Sequence, residues 1–202
     1  MRPSNFNFIS PFYDFMARRF FGTSLQRAQH FHLNKIDSKN TVLILGGGTG
    51  QILGGLPKGC KVTYLDLSSA MIKRAKRKGR AHFIQADFLN HSFDQKFDWI
   101  VCPFFLDCFN SQNLERVLER IHQLLEEDGR LIVTDFKVSN WRQRWISMLM
   151  VKFFRLVSHL EAMRLLPIQQ LISQHGFFQI ESRLFRNEFI FSDIYRKKKP
   201  FG

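Results

Sequence analysis

Thr41-Val42-Leu43-Ile44-Leu45-Gly46-Gly47-Gly48-Thr49-Gly50 decides the fold class. A short apolar run without polar alternation reads as a strand buried on both faces. The glycines behind it permit a tight turn and let the backbone approach a ligand closely. A helix start after them would offer free N–H groups. Outward from this stretch, further strands are expected at 61–65, 81–85, 97–102 and 130–134. Ser68 or Ser69 caps a helix carrying Met71, Ile72 and Ala75. Leu114, Val117, Leu118, Ile121, Leu124 and Leu125 have helical spacing, and Asp128-Gly129 is expected to stop that helix. The end reads as a helix near 167–175 and a hairpin of 177–185 with 189–195.

Strands alternating with helices imply a parallel sheet with right-handed crossovers. Ligands then bind beyond the carboxyl ends of the strands. The sequence puts distinctive residues at all five of those ends: the glycine turn, Asp66, Asp87, Cys102-Pro103-Phe104-Phe105 and Asp135. Asp66 lies 20 residues after Gly46, a suitable spacing for an acid that accepts from ribose hydroxyls. Asp87 is placed to accept from an adenine amino group, with Phe88 beside the ring. The dinucleotide pattern G-x-G-x-x-G/A fails, because Gln51 stands at its sixth position.

With those residues in place, the chain resembles the class I S-adenosylmethionine-dependent methyltransferases. The resemblance rests on 42–50, on Tyr64 to Met71, on Gln85-Ala86-Asp87-Phe88, on Phe97 to Leu106, and on Glu126 to Val133. It implies an α/β, Rossmann-like, doubly wound fold with a mostly parallel seven-stranded sheet, an antiparallel last strand, and N-terminal and inserted lid helices. It implies one methyltransferase domain over 1–202, divided into cap helices (1–38), cofactor core (41–136), inserted helical lid (137–166), and last helix with hairpin (167–202). S-adenosylmethionine is the implied cofactor, S-adenosylhomocysteine its product, and no metal is expected. By similarity, Gly46, Gly47, Gly48 and Gly50 face the methionine part and Asp66 the ribose. Met71 and Phe88 border the adenine, Asp87 accepts from its amino group, and Leu67, Pro103 and Phe104 complete the cofactor-binding set. One departure stands out: the family's usual acid two residues before the first glycine is Ile44 here.

The resemblance extends to the opening Phe6 to Asp14, which is similar to ubiquinone/menaquinone-type small-molecule methyltransferases, so that Tyr13 would point toward the transferred methyl. Leu106-Asp107 stands where many small-molecule members have Leu-His. Asp107, Tyr13 and Asp135 are therefore the catalytic candidates for taking a proton from an acceptor. Cys102 has no base beside it in sequence and reads as an inert buried thiol. His30 and His32 lack a third metal ligand.

Composition bears on the partners. The chain has 202 residues, 45% of them hydrophobic, three cysteines and a formal charge of +13. Disorder, a disulfide framework and a membrane span are excluded, and the cytoplasm is the expected location. Such a charge invites a nucleic-acid reading. Ten of the cations, however, are Lys73, Arg74, Lys76, Arg77, Lys78, Arg80 and Arg196 to Lys199; without them 20 basic residues face 17 acidic ones. Topology places both clusters at the edge away from the ligand. Fourteen of the 23 phenylalanines fall in 6–31 and 83–109, near the expected pocket. The expected function is methyl transfer to a small aromatic or lipophilic acceptor. An RNA methyltransferase or RNA-binding protein, and a catalytically degenerate fold, are the alternatives. Trp141, Trp145 and Phe153-Phe154 among Arg142, Arg144, Lys152 and Arg155 leave open a membrane surface or a second copy of the chain as partner.

Overall fold

A computed structural model describes residues 22–137 and 166–198. Tyr13 and the cap over 1–21, the body of the inserted segment (138–165) and Lys199 lie outside the described residues. The helices are α1 (Ser24–His30), α2 (Ser69–Ala75), α3 (Ser111–Leu124) and α4 (Ile168–Gln174). The strands are β1 (Thr41–Leu45), β2 (Lys61–Asp66), β3 (His82–Gln85), β4 (Phe97–Pro103), β5 (Leu125–Phe136), β6 (Phe177–Phe185) and β7 (Ile190–Lys197).

The sheet has seven strands in the order β3-β2-β1-β4-β5-β7-β6. The first five pair in parallel, and β7 runs antiparallel to β5 and to β6. Alternation along β1 divides the core. Leu43 and Leu45 pack on the face that carries Leu114, Leu118 and Ile121 of α3. Val42 and Ile44 pack on the other face, with Tyr64, Ile72 and Ala75. All four β1 side chains are fully buried, which is why that strand reads as continuously apolar.

The caps follow local chemistry. Ser68 Oγ accepts from the Met71 N–H at 3.3 Å, so Ser68 rather than Ser69 caps α2. Asn110 Oδ1 accepts from the Asn113 N–H at 2.9 Å at the start of α3.

Two local expectations are corrected. The expected helix after the glycine turn is a short 3-10 turn, Gln51–Gly55. And α3 ends at Leu124, before Asp128-Gly129, because Leu125 is already extended and opposite Phe97. The register slips between Phe97 and Trp99, so the four residues 126–129 form a bulged start to β5. Gly129 serves that bulge and not a helix end: a Cβ on it would lie 2.9 Å from Glu126 O.

Candidate active site at the carboxyl edge of the sheet

The glycine turn that follows β1 is met by the carboxyl end of β2 and by Phe105 after β4. The Gly46 N–H donates to Leu65 O at 2.9 Å, tying the turn to β2. Gly46 has φ +65°, and a Cβ on it would lie 2.6 Å from Phe105 Cδ2. A side chain is therefore excluded there by both conformation and space. Gly48, at φ +61°, has nothing within 4 Å of a Cβ position, so the turn is open on that side.

Asp66 sits beside this opening. Its carboxylate accepts from the Gly48 N–H at 3.1 Å and the Ser68 N–H at 2.9 Å. Burial pushes its pKa up to about 6, against the pull of those two N–H groups. Leu67 beside it is 48% exposed, an apolar side chain at the rim, whereas Met71 is buried. Asp87 turns back on its own loop: Oδ1 accepts from the Leu89 N–H and Oδ2 from the Asn90 side chain. Phe88 is packed in the core, with Phe105 edge-on at a centroid distance of 6.0 Å and the Arg120 guanidinium over its ring at 5.4 Å. The ring expected to border adenine thus lies beneath the surface of the site.

The chain leaves β4 by an unusual route. Phe104 has φ +54°, strained for a side chain of that size, and its N–H donates to Thr134 O at 2.7 Å. The kink sends successive rings to opposite sides. Phe104 stacks at 4.8 Å on Phe136, and Phe105 covers Gly46 and touches Phe88 and Phe109.

The following 3-10 turn, Leu106–Cys108, brings Asp107 to Asp135. The Asp107 N–H donates to Asp135 Oδ2 at 3.2 Å, and the Phe136 N–H donates to Asp135 Oδ1 at 2.9 Å. Asp135 is fully buried, while Asp107 reaches the surface in part. Burial raises both carboxyl pKa values, and for Asp135 the neighbouring Asp107 charge adds to the rise. Two acids so placed titrate as a pair that holds a proton more tightly than either would alone. The Cys108 thiol lies 3.6 Å from Asp107 Oδ1, and burial raises the pKa of Cys108 and of fully buried Cys102. Neither thiol is poised as a thiolate nucleophile.

Next to Phe136 a cleft of about 360 Å³ opens, lined by Phe136, Lys137, Leu166, Ile168, Gln169 and Phe191. The basic clusters lie elsewhere. Arg196 is opposite Arg130, the first residue of β5 after its bulge. Arg196 pairs with Asp128, Lys197 Nζ donates to Leu125 O and Lys198 Nζ to Ser173 O. Lys73, Lys76, Arg77, Lys78 and Arg80 are exposed on the second half of α2 and the turn after it. His30 and His32 each bond a backbone carbonyl, of Gln51 and Ser192. Among the described residues no group of three or more His, Cys, Asp or Glu could hold a metal ion, and no helix is long and apolar enough to cross a membrane.

Residues 42–129, from β1 through the bulge into β5, match the family model of the methyltransferase domain. Over those residues the chain is similar to the methyltransferase-domain family. A carboxy-S-adenosyl-L-methionine synthase of Nautilia profundicola is 30% identical to this chain over 112 residues. That match takes in 50% of this chain and 47% of the relative, so the chain spans about half the length of the curated relative it matches. A putative methyltransferase of Haloferax volcanii, solved with the Trm112 methyltransferase activator, superposes with a TM-score of 0.75. It is 14% identical, over 97% of this chain and 99% of that one. The 1,6-didemethyltoxoflavin-N1-methyltransferase of Burkholderia thailandensis, solved with bound 1,6-didemethyltoxoflavin and S-adenosylhomocysteine, superposes with a TM-score of 0.69. It is 19% identical, over 96% of this chain and 86% of that one. These two likenesses establish the fold of the chain.

Two residues of the site were not singled out as site residues in the sequence: Phe105, which roofs Gly46, and Tyr64, whose ring lies against Gly47. Tyr64 shares a strand face with Asp66, and that period of two is the signal that points to it.

Proposed function

We propose that the protein transfers a methyl group from S-adenosylmethionine to a small acceptor with an aromatic or lipophilic body. The observations that carry this reading are Asp66 bonded to the open glycine turn and the Asp107–Asp135 pair beyond the neighbouring strands β4 and β5, in a chain whose net charge is +13. An acidic edge on a basic protein complements a cationic ligand and repels phosphate. The turn fits the cofactor, since Gly48 leaves open space where any other residue would carry a side chain.

In this reading Gly46, Gly47, Gly48 and Gly50 hold the methionine part, and Asp66 accepts from the ribose. Leu67 and Met71 flank the adenine and Asp87 accepts at its edge, while Phe88 supports that wall from the core. Pro103 and Phe104 line the side toward the acceptor. When bound, S-adenosylmethionine supplies an electrophilic methyl carbon on a sulfonium. Asp107 takes the proton from the acceptor, because it is the member of the acid pair that reaches the surface. Asp135 acts through Asp107: it anchors the Leu106–Cys108 turn and raises the proton affinity of the pair. Phe104, Phe136 and the cleft beyond them give an apolar acceptor body a water-poor surface.

The test is a screen of aromatic and lipophilic acceptors, with RNA alongside, using cofactor labelled on its methyl. Label should pass to a small acceptor and be lost in Asp107→Asn. Transfer to RNA alone would refute the reading. A cofactor that itself gains a carboxyl group would redirect it to the reaction named for the Nautilia relative.

A further inference from the structure

Ile44, two positions before Gly46, is fully buried and brings the glycine turn no polar group. The turn is held from β2 instead. Tyr64 is the register partner of Ile44 across β1 and β2. Its ring lies against Gly47, where a Cβ would fall 2.4 Å from Tyr64 Oη and 2.5 Å from Cζ. The hydroxyl donates to Gly48 O at 3.0 Å. Asp66, on the same strand face, accepts from the Gly48 N–H at 3.1 Å. Both backbone polar groups of Gly48 are thus fixed by two side chains of one strand. Around it the turn is closed by the Gly50 N–H donating to Gly47 O at 3.3 Å, and the Cβ position of Gly48 meets no atom within 4 Å.

We infer that Tyr64 is a positioning residue for the cofactor, setting the orientation of the Gly48 carbonyl and so of the N–H groups that the turn presents. The inference rests on the reading of this turn as the S-adenosylmethionine site. A glycine at φ +61° with open space at its Cβ position has alternative conformations within reach, and a ligand that needs one of them binds more weakly when they are populated. The hydroxyl suppresses them at no cost to packing, because the ring is buried whether or not it carries oxygen. It sits 5.3 Å from Phe83 and belongs to the Val42, Ile44 and Ile72 core.

Tyr64→Phe removes the hydroxyl and keeps the ring. Calorimetry with S-adenosylhomocysteine should give about three- to tenfold weaker binding, the loss of one intramolecular hydrogen bond. Backbone hydrogen exchange at Gly48, Thr49 and Gly50 in the ligand-free protein should speed up by a similar factor, while the melting temperature stays within a few degrees. Phe83→Leu, which loosens the packing around the ring but keeps the hydroxyl, should leave affinity within twofold. Unchanged affinity and unchanged exchange in Tyr64→Phe would overturn the inference. Equal losses in both variants would overturn it too, reducing Tyr64 to core packing. If the unaltered protein binds no S-adenosylhomocysteine, the reading of the site fails first, and faster exchange in Tyr64→Phe would then report only loop bracing.

Discussion

Asp66→Asn separates the electrostatic cost of the site from its use. In the folded, ligand-free protein burial holds the Asp66 pKa at about 6, against an ordinary value of 3.8. A carboxyl raised on folding stabilises the fold fully below its unfolded pKa, and that contribution disappears as pH rises through the folded one. Two units would correspond to about 3 kcal/mol in a fully desolvated site. Asp66 keeps part of its surface in water, so the expected change is about 1–2 kcal/mol between pH 4 and pH 7. Asparagine keeps the shape and does not titrate. It also turns an N–H donor toward either Gly48 or Ser68, at a cost of about 1 kcal/mol that is independent of pH. Urea unfolding of both proteins at pH 4.0, 5.5 and 7.0 isolates the difference, since every other group cancels. The variant should be less stable than the unaltered protein at pH 4.0 and close to it, or above it, at pH 7.0. A difference that stays constant with pH would refute the assignment of a buried, unneutralised charge to Asp66.

Three further outcomes follow from the same geometry. Asp107→Asn should lower kcat by roughly 10²- to 10⁴-fold and remove the acid limb of the kcat/KM profile, a limb that lies above the ordinary carboxylate range because burial raises Asp107; S-adenosylhomocysteine affinity should change little. Gly46→Ala forces a side chain into the left-handed region against Phe105 and should cost about 1–3 kcal/mol in stability, measured by denaturation, together with ligand binding. Changing Lys73, Lys76 and Arg77 together to Gln should leave ligand affinity and its salt dependence unaltered, because these side chains are exposed at the carboxyl end of α2 and in the turn after it; a marked loss of affinity in calorimetry would place the cluster at the site.

The strand ends were legible because a parallel sheet brings to one edge residues that the sequence scatters from 46 to 135. Apolar run length and strand-ending acids therefore sufficed to put Asp66 and Asp135 at the ends of their strands and Asp87 just beyond β3. What a strand end does next was not legible. The meeting of Asp107 with Asp135 depends on the positive φ of Phe104, which no propensity assigns to phenylalanine. The same kink decides that Phe105, not Phe104, covers Gly46. Phe88 was read toward the ligand because it follows Asp87, yet Arg120 of α3 and Phe105 enclose it in the core. Gly129 carried a stop signal for α3, but the pairing of Leu125 with Phe97 ends the helix first. In that case a tertiary contact outweighed a local rule. The placement of the basic clusters needed only strand direction, which the hairpin and the crossover rule supply.

The most direct test is calorimetric titration of S-adenosylmethionine and S-adenosylhomocysteine into the protein at pH 7.5, repeated at pH 5.5 and with Asp66→Ala. Binding at one site is expected, stronger at pH 7.5 than at pH 5.5 because the ionised Asp66 carboxylate is the better acceptor and its folded pKa is about 6. Asp66→Ala should weaken it at least tenfold. Absence of binding at either pH, or equal affinity in Asp66→Ala, would contradict the assignment of this edge as the cofactor site.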